Sequence, residues 1–443
     1  GIKKCAVMHV PRFGGIPGQH RPFRWTLSGQ AVDEVQEYTY LGINFRADWD
    51  IPKMVADRCE KGKRLFGALQ PFLYSRTIPI HMKMAVIRAV LVPVLLYGAE
   101  IYGMNKSITG RMQSFLTGAL KAVVGLSQSS HTGLVSLWRE LNMPPICALA
   151  AGRRARALVK CRSLRTWVSR LAGMEFRAKR KTWMTLARQW CRTHIPRLVQ
   201  RCLIDGDDVP LYLIQTDGWL TQEPKTLNKD ITNLVWGREE RLRLSGNARW
   251  YFGSGFHTGR ICIPRSGVVP GFLRGINLVL KCRLGAYWTA YMLARRGLAP
   301  ACMLHFCPYC RQMQPETLEH MFLRCPRWQT QRGVWLSYWI IRSNRLLHSR
   351  DPNLDPQRVI LLLGGRVARR RLSCWQYKQP DEIIGGGSGD STDSDDDDSG
   401  FGVVDSTTVT DLTHGCGLLA VAGFLSSIAG DRGGLAERIA AMR

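Results

Sequence analysis

The sequence predicts a mainly α-helical protein with one short β element near its start and an unstructured acidic end. Three observations carry this. Apolar residues recur at helical spacing over 53–124, 153–201 and 276–296. Strict apolar–polar alternation is confined to residues 23–45. From Ile384 onward the chain turns to GGGSGDSTDSDDDDSG, too polar and too simple to bury a core.

In chain order, FRWTLSG and EYTYLGINF alternate on either side of Gly29, which predicts a hairpin-like pair of strands. Over 53–73 Val55, Cys59, Phe66 and Leu69 share one helical face, while Lys53, Arg58, Lys61, Lys63 and Arg64 crowd the rest. That is an amphipathic helix with a cationic outer face. Pro79 opens a second helical stretch that runs to Tyr102 with a kink at Pro93, and 107–124 forms a third, bounded by Gly125. Residues 153–201 hold 15 Lys or Arg against the single acid Glu175, with Trp167, Trp183 and Trp190 interleaved. Helices with Trp inside and Arg outside are expected there. Residues 205–270 give mixed signals and no assignment. A further helical pattern over 276–296 ends at Gly297 and Pro300.

With 443 residues, 45% of them hydrophobic, the chain can bury a core in two or more domains. The net charge of +28 is unevenly placed. Residues 1–377 carry 58 basic and 22 acidic side chains, the remainder 4 and 12. A cationic body of this size fits a polyanionic partner, nucleic acid before membrane. The longest apolar runs, 85–97 and 417–429, fall short of the ~20 residues of a spanning helix. The 14 Cys lack paired spacing outside 302–325, which argues against a secreted disulfide scaffold and for nucleus or cytoplasm. The opening GIKKCAVMHV shows no signal pattern and suggests a parent whose start lies upstream.

Within HFCPYCRQMQPETLEHMFLRCPRW, Cys307, Cys310, His320 and Cys325 follow C-x2-C-x9-H-x4-C. Three thiolates and an imidazole at this spacing can close a tetrahedral shell around Zn2+. Pro315 and Glu316 would start the helix that presents His320, and Leu318, Met321 and Phe322 would be its apolar face. Cys302 and His305 are substitute ligands. Cys-Pro-Tyr-Cys is also a redox motif, which would need a strand before Cys307 and a low-pKa thiol there. The Trp and Arg mixture of 153–201 can serve as a phosphate track. Gly206, Asp207 and Asp208 mimic a metal-binding polymerase turn, but no partner Asp lies on a defensible strand, and Asp48 and Asp50 do not supply one, so the segment reads as an ordinary acidic turn. There is no P-loop, no Gly-x-Ser-x-Gly elbow and no His-Glu-x-x-His helix.

Taken in order, KKCAVMHV, EYTYLGINF, RAVLVPVLLYGAEIYGM and CPYCRQMQPETLEHMFLRCPRW resemble the downstream part of a LINE-type (non-LTR) retrotransposon reverse transcriptase, over roughly residues 1–330. The resemblance implies a residual palm edge with a primer grip (1–50), a thumb (51–150), a basic helical connector (151–300) and a CCHC zinc module (301–330); beyond it the composition reads as a C-terminal extension (331–377) and a disordered acidic tail (378–443). The resemblance also implies roles. Lys4 would assist the polymerase centre, and Tyr40, Leu41 and Gly42 would form the primer grip. Lys61, Lys63 and Arg64 of the thumb, with Arg153, Arg154, Arg156, Lys179, Arg180 and Lys181 of the connector, would follow template–primer duplex. The partners implied are RNA and DNA. The catalytic aspartates and their Mg2+ would belong to an intact parent polymerase, so this chain is expected to bind template and primer without polymerising. The alternative is a domesticated zinc-dependent DNA or RNA binder without enzymatic activity. In the acidic tract, Ser391 and Ser394 are candidate phosphorylation sites.

Overall fold

The computed structural model describes residues 5–9, 24–48, 50–128, 132–167, 169–170, 183–204, 208–215, 217–244, 246–256, 272–368, 409–411 and 416–433. These residues are mainly helical. The β element comes first: β1 (Ala6–Val7), β2 (Thr26–Leu27), β3 (Gln30–Ala31), β4 (Asp33–Glu34), β5 (Glu37–Tyr40) and β6 (Ile43–Arg46). The expected single pair resolves into two hairpins, β2 with β3 and β5 with β6, while β1 pairs with β4 in parallel. The reason is local. Ser28 and Gly29 have φ of 52° and 76°, and Leu41 and Gly42 have 46° and 73°, so each pair of residues makes a two-residue turn of the primed kind.

The helices α1 (Ile51–Tyr74), α2 (Ile80–Val86), α3 (Val92–Leu95), α4 (Ala99–Tyr102) and α5 (Lys106–Val124) follow. Asp50 caps α1 by accepting from the Lys53 amide at 3.1 Å, and Pro52 stands in the first turn where an amide donor is not needed. The interruption expected at Pro93 lies a turn earlier. Residues Ile87–Leu91 form a π turn, since Pro93 has no N–H to return to the preceding turn. Gly125, at φ 69°, closes α5 and accounts for the boundary read there.

Next come α6 (Leu134–Glu140), α7 (Ile146–Ser163), α8 (Trp183–Ile204), α9 (Leu211–Ile214), α10 (Pro224–Leu242), α11 (Gly246–Gly253), α12 (Leu273–Arg283) and α13 (Ala290–Arg295). α10 fills the region left unassigned, capped by Glu223, which accepts from Lys225 and Thr226 amides. It packs along α7, where Gly152 leaves room for the Asn228 carbonyl and Thr232. After residues 307–325 the chain runs through α14 (Gln329–Trp335), α15 (Ser337–Leu346) and α16 (Asp355–Leu362) to β7 (Arg366–Ala368), β8 (Val409–Asp411) and α17 (Cys416–Gly433).

The last two elements correct the expectation of an unstructured tail over 378–443. β8 pairs antiparallel with β7. In α17 Val421, Ala422, Phe424, Leu425 and Ile428 are fully buried, with α12 packed along it. An apolar helix interrupted by small residues and preceded by an acidic tract looks like part of a tail, yet its all-round apolar surface can only be satisfied in an interior. The acidic tract itself, with Ser391 and Ser394, lies outside the described residues.

A single hydrophobic cluster runs from Val55 to Ile428, crossing the boundaries expected at 150, 300 and 330. No helix among the described residues is long and apolar enough to cross a membrane.

Candidate metal centre

The four sulfur and nitrogen donors are brought together. Ligand atoms of Cys307, Cys310, His320 and Cys325 all lie within 4.8 Å of one another, a cluster that could hold a metal ion. Cys302 and His305 are exposed and take no part in it.

Local chemistry builds the site from two turns. The Cys307 amide donates to the Gln312 carbonyl at 3.1 Å and the Arg311 amide to the Cys307 carbonyl at 2.9 Å, with Arg311 held at φ 60°. Pro308 fixes the first step of this knuckle, so both thiols point inward. On the other side Thr317, rather than Pro315 or Glu316, starts the helical turn. Its Oγ1 accepts from the His320 amide at 3.2 Å and its carbonyl from Met321 at 3.0 Å. Residues His320–Arg324 then adopt a π turn, which ends as the Cys325 amide donates to the His320 carbonyl at 2.6 Å. Met321 and Phe322 are buried and Leu318 half-buried, as the apolar face required, with Phe322 5.6 Å from Phe424 of α17.

The imidazole is oriented by a neighbour. Gln314 Oε1 lies 3.0 Å from His320 Nδ1 and accepts a hydrogen bond from its N–H, leaving Nε2 to face Cys310 Sγ at 3.4 Å. Among protein atoms alone, the Cys307 thiol is pushed up to about 11, first by its hydrogen bond to Cys325 and then by burial. The same bond draws Cys325 down, and burial raises Cys310. The redox reading lacks the strand that it requires: residues Ala301–Leu304 form a 3-10 turn started by Pro300.

Arg432 of α17 ties the loop down. Its guanidinium pairs with the buried Glu316, lies 5.0 Å from the Tyr309 ring and donates to the Trp288 carbonyl at 3.0 Å. Glu316 also accepts from the Ala290 amide at 2.7 Å, at the head of α13. Sequence reasoning missed this partner because 116 residues separate it from Glu316.

The remaining candidates are dispersed. Tyr40, Leu41 and Gly42 form the exposed tip of the β5–β6 hairpin. Tyr97 donates to the Leu41 carbonyl and Arg58 to the Gly42 carbonyl, with the Arg58 guanidinium 4.3 Å from the Tyr97 ring. Lys61, Lys63 and Arg64 stand exposed on α1. Arg153 is half-buried and donates to the Leu96 carbonyl at 3.0 Å, next to Tyr97; Arg156 is half-buried. Arg154 corrects the expectation of a uniformly cationic outer face. It is buried and donates to the carbonyls of Gly103 at 2.6 Å and Trp183 at 3.3 Å, because the carbonyl ending α4 needs a donor where α7 crosses it. Trp167 departs the other way, being 69% exposed. Lys4, Lys179, Arg180 and Lys181 lie outside the described residues, as do Gly206 and Asp207. Helices flank that acidic turn, α8 ending at Ile204 and α9 starting at Leu211. Asp48 is paired with Arg46 and Asp50 caps α1, so neither is a spare metal ligand.

Set against known protein families, curated proteins and solved structures, the chain finds no match.

Proposed function

We propose that this chain is the nucleic-acid-holding part of a non-LTR reverse transcriptase, with a structural Zn2+ at Cys307, Cys310, His320 and Cys325. The observation that carries the reading is the convergence of those four donors within a strongly cationic chain. A tetrahedral Zn2+ with Zn–S of ~2.3 Å sets its sulfurs about 3.8 Å apart, which the cluster accommodates, and a neutral imidazole with its Nδ1 proton engaged is the form that binds. Bound there, the ion would cross-link the knuckle to the π turn. The chain's own residues would do the rest: the rigid tip at Tyr40–Leu41 meets the primer strand, and the exposed cations of α1 meet phosphates. Mg2+ and catalytic carboxylates would come from the parent polymerase.

The test is a salt titration of binding to an RNA–DNA primer–template, followed by fluorescence anisotropy. Neutralising ~6 phosphates gives a log–log slope near −5, with no nucleotide incorporated by this chain alone. Binding indifferent to salt would refute the reading. Strong selection of one short sequence would favour a domesticated DNA or RNA binder instead.

A further inference from the structure

From Arg241 to Pro315 the sequence holds no carboxylate and eleven Lys or Arg. Within that stretch Trp288, two residues before α13, keeps 41% of its surface exposed. The Arg296 guanidinium lies 4.6 Å from its ring, and Arg295 lies 5.9 Å from the ring of Tyr291; both arginines are exposed.

The backbone under Trp288 is held from three directions. Tyr287 before it is buried with Arg432 5.1 Å from its ring, its own carbonyl accepts from Arg432, and Thr289 after it is buried and caps α13 by accepting from the Met292 amide at 3.2 Å. A Trp is an expensive side chain to leave in water, and a cation–π pair at an exposed site returns little of that cost. An indole on a held backbone, with the exposed Arg296 over its ring and the exposed Arg295 on the same short helix, neither with a carboxylate partner among the described residues, suits a ligand with both a flat apolar face and a negative backbone. Duplex hides the faces of its bases; a single strand offers them.

We propose that Trp288, with Arg295 and Arg296, is a stacking platform for an unpaired base of single-stranded RNA or DNA beside the metal loop. This rests on the reading of the chain as a nucleic-acid binder and adds which form it takes there. The indole holds the base, and the two guanidinium groups meet the flanking phosphates.

The experiment uses the full chain loaded with Zn2+ and labelled dT12, U12 and a hairpin duplex of equal charge. Trp288→Ala should weaken single-strand binding about 5- to 100-fold, with duplex binding and the salt slope unchanged, and Trp288→Phe should keep most of the affinity. Arg295→Gln with Arg296→Gln should flatten the single-strand salt slope by about 1.4. Unchanged single-strand affinity in Trp288→Ala overturns the platform while leaving the general reading intact, provided the parent binds. An equal loss on single strand and duplex also overturns it. If the parent binds none of the three probes at low salt, the general reading falls as well.

Discussion

At the scale of single residues, two side chains act through charge placement. Gln314 is not a ligand, yet it fixes which nitrogen of His320 faces the thiols. Gln314→Ala should leave the zinc stoichiometry at one while weakening affinity by about 10- to 100-fold in chelator competition; unchanged affinity would mean that the imidazole needs no support. Lys83 is buried in the core with its ammonium 2.6 Å from the Ser75 carbonyl, and burial pulls its pKa from 10.5 down to about 8. Between those values the unfolded chain holds a proton that the folded chain has released, so the contribution of this residue to stability rises with pH. Below about pH 8 the penalty is complete, on the order of 3 kcal/mol. The stability of Lys83→Met relative to the parent should therefore be most favourable below pH 8 and decline by roughly that amount towards pH 10.5, read from urea melts at several pH values. A pH-independent difference would show that the amine is not desolvated.

At the scale of elements, the β5–β6 hairpin carries a local contradiction. Leu41 sits in the left-handed region at φ 46°, a conformation costing a Leu about 1 kcal/mol, and is 71% exposed. A turn of this kind favours Asn-Gly. Leu41→Asn should accordingly stabilise the protein by about 0.5–1 kcal/mol while weakening primer–template binding. A variant that gains stability without losing affinity would remove the tip from the proposed interface. Legibility followed the same divide between local and distant causes. Helices α1 and α5 were readable because their caps and apolar stripes lie within the segment, and the ligand set was readable because its spacing is a property of one short stretch. The π turn before Pro93 was not, since proline announces a break but not which turn absorbs it. α10 was overlooked although Pro224 opens it, because its buried Glu239 and Glu240 look like solvent residues until Lys106 and Arg139 reach them from α5 and α6. Arg432 and Glu316, like Arg154 and Gly103, are distant pairs that no window of sequence joins.

At the scale of the whole molecule, one buried charge pair joins the parts. Glu140 at the end of α6 accepts from Tyr251 of α11 at 2.7 Å and from Arg283 of α12 at 2.9 Å, and Arg283 also donates to the carbonyls of Leu363 and Phe256 at 2.7 and 2.9 Å. Both charged residues are essentially without solvent contact. α12 continues the connection, because Gly275 lets it approach the Ala422 backbone of α17, which carries Arg432 to the metal loop. Removing one charge leaves the other buried alone, so Arg283→Met or Glu140→Leu should each cost about 3–5 kcal/mol. The double variant buries no charge and should cost less than the sum of the two, by a coupling of at least ~1 kcal/mol in denaturant unfolding. If the two costs simply add, the pair is not what couples α6 to α12, and the continuity from the helical body to the metal loop rests on apolar packing alone.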